Sequence, residues 1–143
     1  MTTNDSIQSI LTQSRTIAVL GLSADPSKAS YSVSKYMQSH GFRIIPVNPR
    51  YASVGASILG EKCYAELSDI GFEVDIVNVF RRTEDVLPVA QQAVCIGAKC
   101  LWQQLGVTNH EAHVMVQAAD LLSVMDRCIK VDHARMMNGA TQT

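Results

Sequence analysis

The sequence predicts a three-layer α/β/α domain built on a doubly wound, mainly parallel sheet of Rossmann type. Three observations carry that expectation. Five short apolar stretches, often β-branched, recur along the chain: Thr16–Gly21, Arg43–Asn48, Asp75–Phe80, Ala98–Trp102 and Leu121–Met125. Continuous apolar runs, rather than a two-residue alternation, mark parallel strands covered on both faces. The segments between them carry helical periodicity, so strand and helix alternate. The 143 residues, 47% hydrophobic and 17% charged, suit one packed domain and are too apolar for a disordered chain. Right-handed crossovers then wind the sheet doubly.

Taken in order, the head Asp5–Gln13 reads as a helix, followed by the first strand. Val33, Tyr36, Met37 and His40 then repeat at helical spacing, and Gly41 supplies the stop. The connection Pro49–Val74 is broken by Gly55, Gly60 and Gly71; only Lys62–Tyr64 reads as extended, with a helical turn at Glu66–Asp69. Thr83 can cap the next helix, with Glu84 and Asp85 in its first turn. Its buried stripe is Val86, Val89, Ala90, Ala93 and Val94, and Gly97 ends it. Pro88 is late for a first-turn proline, so this helix starts later or bends. Asn109 caps a helix to about Ala119, and Val131–Met137 forms the tail. No repeat or linker divides the chain, so residues 1–143 read as one domain with its core at about 14–136.

Composition narrows the function. Twelve Lys+Arg against 13 Asp+Glu leave a net charge of −1, which disfavours a general nucleic-acid or membrane-surface binder. No apolar run approaches the roughly 18–20 residues that cross a bilayer, and the N-terminus lacks the pattern of a secretory signal. The expected location is the cytoplasm, where Cys63, Cys95, Cys100 and Cys128 are reduced and mostly buried. His110 and His113 share a helix face, but no further ligand pair accompanies them, so no metal site is expected.

In such sheets the ligand lies beyond the carboxyl ends of the strands, where strand order reverses. Those ends carry Lys28 after the first strand, Arg50 after the second, Arg81 and Arg82 after the third, and Arg127 after the last. Cations clustered on one edge suit a ligand with several phosphates. The first loop, Gly21-Leu22-Ser23, lacks the second and third glycines of a dinucleotide fingerprint. Asn48-Pro49-Arg50 also offers no carboxylate to a ribose diol. Ordinary NAD binding is therefore disfavoured, while Arg50 keeps an NADP-dependent oxidoreductase open.

Several motifs together resemble one family. They are Gly21-Leu22-Ser23, Asp25-Pro26-Ser27, Ser30-Tyr31-Ser32-Val33, Pro46-Val47-Asn48-Pro49-Arg50, Leu59-Gly60-Glu61-Lys62-Cys63-Tyr64, Val79-Phe80-Arg81-Arg82, Leu105-Gly106 and Met125-Asp126-Arg127-Cys128. Over about Ser14–Met136 the chain is similar to the small CoA-binding proteins of bacteria and archaea. These in turn resemble the amino-terminal CoA-binding domain of the succinyl-CoA synthetase alpha subunit. The resemblance implies a cofactor, CoA or an acyl-CoA, whose phosphates meet the backbone of Gly21, Leu22 and Ser23. Helix amides near Ser30 and Tyr31 would reinforce that anion site, with Lys28 beside it. It further implies that Pro49 and Arg50, after Asn48, flank the adenosine and its 3′-phosphate. Phe80 and Arg81 would border the cofactor, and Gln104, Leu105 and Gly106 would line the far side.

Catalytic machinery is not evident. Cys128 near Arg127 and His133 is the best candidate nucleophile, although a half-buried thiol at a strand end explains it as well. Asp126 is expected to pair locally with Arg127 or cap the next turn. Trp102 and Tyr31 could stack on a base or pack internally. The leading expectation is a stand-alone CoA or acyl-CoA binding protein. A noncatalytic partner subunit of an ATP-dependent acyl-CoA ligase is the other alternative. The apolar Val114–Ala119 and Met136-Met137 stretches could contribute to a homodimer.

Overall fold

In the computed structural model, which describes residues 2–139, seven strands follow one another along the chain. They are β1 (Thr16–Leu20), β2 (Arg43–Val47), β3 (Ser57–Ile58), β4 (Glu61–Lys62), β5 (Ile76–Val79), β6 (Cys100–Gln103) and β7 (Leu122–Val124). Five make one parallel sheet in the order β2-β1-β5-β6-β7, and β3 and β4 form a separate antiparallel pair. The helices are α1 (Asn4–Gln13), α2 (Ala29–Ser39), α3 (Pro49–Ala52), α4 (Val86–Cys95), α5 (His110–Ala118) and α6 (Ile129–Gly139). The five expected strands are all present, with ends moved by one or two residues.

Side chains alternate across the sheet and so build two separate cores. Ala18, Leu20, Val77, Val79 and Leu101 face one layer, covered by Val86, Ala90 and Ala93 of α4 and Ala112 and Val116 of α5. Ile17, Val19, Ile76, Cys100 and Trp102 face the other, against Ile7 and Leu11 of α1, Val33 and Met37 of α2, and Ile129 of α6. This is the expected three-layer α/β/α arrangement.

At the amino ends of the strands, the buried Asp75 carboxylate accepts the N–H groups of Arg15 (2.8 Å) and Thr16 (3.0 Å) and pairs with Lys99 at 3.2 Å. Burial pushes its pKa up. The hydrogen bonds from Arg15, Thr16 and Lys99 outweigh that and leave it below the ordinary carboxylate value.

The connection after β2 is more regular than the glycines suggested. Asn48 caps α3 by accepting the Arg50 N–H at 3.1 Å, and Pro49 occupies the first helical position, where its missing N–H costs nothing. Tyr64 then runs parallel to β2, donating its N–H to Pro46 O (2.9 Å) and accepting the Asn48 N–H (2.8 Å). It is a one-residue strand at the outer edge of the sheet. The chain thus steps outward from β1 to β2 to Tyr64, then returns to β5 and proceeds to β6 and β7. The winding reverses between β1 and β5, and their carboxyl ends frame the crevice.

The helix after β5 begins late, as Pro88 required. A 3-10 turn covers Thr83–Asp85, and α4 starts at Val86, which puts Pro88 in the first turn among amides that need no intrahelical partner. Thr83 is not its cap: Thr83 Oγ1 accepts the Thr108 N–H at 3.0 Å and so ties this turn to the loop after β6. The apolar Val114–Ala119 and Met136-Met137 stretches lie on α5 and α6, on opposite faces of the sheet, and offer two separate surfaces. No helix among the described residues is long and apolar enough to cross a membrane.

Candidate anion-binding site at the strand ends

The loop after β1 has a conformation only glycine accommodates at its first position. Gly21 has φ 84° and donates its N–H to Val47 O at 2.9 Å, and a Cβ there would run into the Phe80 carbonyl. Ser23 N–H donates to Ser30 Oγ at 3.0 Å, which fastens the loop to the first turn of α2. Asn48 Nδ2 donates to Leu22 O at 3.1 Å and locks the β1 loop to the β2 loop. The Asp25 carboxylate accepts the N–H and hydroxyl of Ser27, bonds that hold its pKa below the ordinary value.

The amino end of α2 points into this assembly without a side-chain cap. Lys28, its N-cap residue, makes no capping bond, and the first turn carries no acid. By contrast α1, α3 and α5 are capped by Thr3, Asn48 and Asn109. The Tyr31 N–H bonds Lys28 O at 3.1 Å, and the remaining first-turn amides with the positive end of the helix dipole favour an anion here.

The strand-end cations divide into two sets. Arg82 is paired with Glu84 (3.4 Å) and Asp85 (3.2 Å), and Arg127 with Asp132 at 2.6 Å. Lys28, Arg50 and Arg81 have no carboxylate partner among the described residues. Arg50 lies over the Tyr51 ring at 5.9 Å. Arg81 Nε is buried without a hydrogen-bond partner, 3.4 Å from where a Gly21 Cβ would stand. The unpaired set therefore belongs to the ends of β2, β1 and β5, next to the crevice. The paired Arg127 follows β7, the strand farthest from β2.

The other expected residues are placed as follows. Pro49 is exposed, Phe80 and Tyr31 are half-buried, and Leu105 and Gly106 are exposed on the loop after β6. Gln104 is buried, its Oε1 accepts the Ile129 N–H at 3.3 Å, and its backbone N–H and carbonyl bond Val79 O and the Val107 N–H, so it supports the start of α6 and the loop after β6. From Arg50 through Gly21–Ser23 and Phe80–Arg81 to Gln104–Gly106, these groups follow the adjacent ends of β2, β1, β5 and β6. Three inter-strand gaps span about 14 Å.

Two expectations need correction, for Asp126 and for the thiols, and the open alternatives at Cys128 and Trp102 are decided. Arg127 does not pair with Asp126. The Asp126 carboxylate instead accepts the Gly106 N–H at 2.7 Å, from a left-handed backbone with φ 61°. Cys128 has no activating partner, because Arg127 is held by Asp132 and His133 Nδ1 bonds Tyr36 Oη at 2.9 Å. Trp102 is fully buried and donates to Arg127 O at 2.9 Å, so it is unavailable for base stacking. The thiols are more evenly split than expected, with Cys95 exposed and Cys128 half-buried. His110 is exposed, whereas His113 Nδ1 bonds Ser123 Oγ at 2.6 Å. Among the described residues no group of three or more His, Cys, Asp or Glu could hold a metal ion.

One site residue escaped the sequence reading altogether. Tyr51 Oη lies 3.4 Å from Ser23 Oγ, at the join of the β1 and β2 loops. The signal was the Asn-Pro pair, which starts a helix and so turns the following tyrosine back toward β1.

Known proteins resemble this chain along most of its length. A family described as the CoA binding domain matches residues 15–134. An uncharacterized protein of Bacillus subtilis (strain 168), YneT, is 44% identical over 128 residues, covering 90% of this chain and 92% of its own length. A hypothetical protein from Pyrococcus horikoshii OT3 superposes with a TM-score of 0.89 at 34% identity, covering 95% of this chain and 93% of the other. An ADP-forming acetate–CoA ligase of Methanocaldococcus jannaschii is 28% identical over 65 residues. That match takes in 46% of this chain and 9% of the ligase.

Proposed function

The chain belongs to the CoA-binding domain family, and from that premise we propose that it is a stand-alone CoA or acyl-CoA binding protein. The observation that carries this reading is the set of three cations without carboxylate partners, Lys28, Arg50 and Arg81, around the uncapped start of α2. A phosphate-rich ligand supplies the missing negative charge.

In this reading the Gly21–Ser23 loop and the start of α2 at Ser30 and Tyr31 receive the pyrophosphate; the Gly21, Ser23 and Tyr31 N–H groups are bonded within the fold, which leaves the Leu22 and Ser30 amides to reach it. Asn48 holds the two loops together. Pro49 and Arg50 flank the adenosine and its 3′-phosphate, Phe80 and Arg81 border the cofactor, and the Gln104–Gly106 segment lines the far side. The chain's role is to bind and orient, and CoA, when bound, supplies a thiol that carries acyl groups.

Purified protein is expected to show a larger thermal shift with CoA than with dephospho-CoA. At 100 times the Kd the ligand adds about 2.7 kcal/mol. Absence of any shift at millimolar CoA overturns the reading. A second reading, a noncatalytic partner subunit of an acyl-CoA ligase, draws on the 65-residue likeness to a ligase. Its test is native co-purification, and a protein that always elutes alone counts against it.

A further inference from the structure

Tyr51 has a hydroxyl that the fold leaves half-used. Its Oη is 3.4 Å from Ser23 Oγ, which itself accepts the Asp25 N–H at 3.0 Å. Either hydroxyl can donate across this contact; where Ser23 donates, the phenol proton is left for a ligand. The ring is half-buried and held in place by the short α3, whose cap Asn48 is anchored to Leu22 O. Arg50 lies over the ring, while Arg81, unpaired, stands across Gly21.

With Arg50 at the 3′-phosphate as in the reading above, we propose that the Tyr51 hydroxyl is a further ligand-binding donor, one that grips the pyrophosphate of the nucleotide cofactor. This rests on the CoA-binding reading and deepens it. The division follows from position. Tyr51 Oη is bonded to the β1 loop, the element that carries the Leu22 amide for the pyrophosphate. Arg50 is exposed on the outer side of α3, beside the β2 end.

The phenol also makes binding sensitive to alkali. The Ser23 hydroxyl, the Ala24 backbone and the positive Arg50 lower its pKa, against burial and the Asp25 carboxylate. Once ionised, Tyr51 loses its donor and repels phosphate, so affinity falls as pH rises toward the ordinary phenol value of 10.0.

The test is calorimetric titration of wild type, Tyr51→Phe and Arg50→Ala with CoA and with dephospho-CoA, from neutral pH upward. Tyr51→Phe is expected to weaken both ligands equally, by about tenfold, and to flatten the alkaline loss. Arg50→Ala is expected to weaken CoA and leave dephospho-CoA nearly unchanged. Equal affinity and an equal pH profile for wild type and Tyr51→Phe overturn the inference while CoA binding stands. A Tyr51→Phe loss confined to CoA overturns the pyrophosphate assignment. Failure of the wild type to bind CoA removes the functional reading itself.

Discussion

Gly21→Ala should abolish CoA binding and destabilise the protein by about 2–5 kcal/mol, the sum of a left-handed alanine and an overpacked contact. Two independent facts stack here. The backbone holds φ 84°, and the added Cβ meets the Phe80 carbonyl, a backbone atom of the neighbouring strand end that cannot swing aside. Relief requires the β1 and β5 ends to part or the loop to flip, and either displaces Gly21–Ser23 from the crevice. Gly41→Ala is the control. Gly41 also has a left-handed φ, 95°, but no atom lies within 4 Å of its would-be Cβ. It should cost only about 1–2 kcal/mol and leave binding intact. Urea denaturation beside ligand titration separates the two. Equal effects of both variants on binding would contradict the crowding argument.

Arg81→Ala should lower CoA affinity by about ten- to a hundredfold while leaving stability unchanged or slightly raised. A structural arginine does the reverse: removing it costs stability, because its partners lose their bonds. Arg81 has a buried Nε with no partner, so in the free protein its burial is a cost without a return. A charge-assisted bond to phosphate contributes about 1.5–3 kcal/mol, which sets the size of the affinity loss. Arg127→Ala provides the contrast, since it strips the nearly buried Asp132 of its 2.6 Å partner and should destabilise. If Arg81→Ala unfolds the protein and spares affinity, the two arginines have been assigned the wrong way round.

The sheet and its layers were legible because buried parallel strands need continuous apolar runs, which Ile17–Leu20 supplies unbroken and Ile76–Val79 supplies with one buried asparagine, Asn78. Pro88 even reported a late helix start correctly. The region after β2 was harder to read. Three glycines suggested irregularity, yet Asn48 and Pro49 start a short helix that leaves no periodicity to detect, while Lys62–Tyr64, read as extended, does bring Tyr64 to the sheet through two backbone bonds.

The strand ends could be located from the sequence, but the pairing of their side chains could not. Arg82 and Arg127 looked equivalent to Arg50 and Arg81. Only the fold shows that acids at Glu84, Asp85 and Asp132 claim the first two. Gln104 likewise carried no sign that its amide would support α6. Tyr51 was missed for the same reason, because its approach to Ser23 is made by α3.

In the proposed function the carboxyl ends of β2, β1, β5 and β6 form one cradle for CoA. Amide-resolved NMR titration of the protein with CoA tests it most directly. Saturable shifts are expected at Gly21–Ser23, Ser30, Tyr31, Arg50, Tyr51, Phe80, Arg81 and Leu105–Gly106. The amino ends of the strands around Asp75 should stay still. Shifts centred on α1 and α6, or none at millimolar CoA, would contradict it.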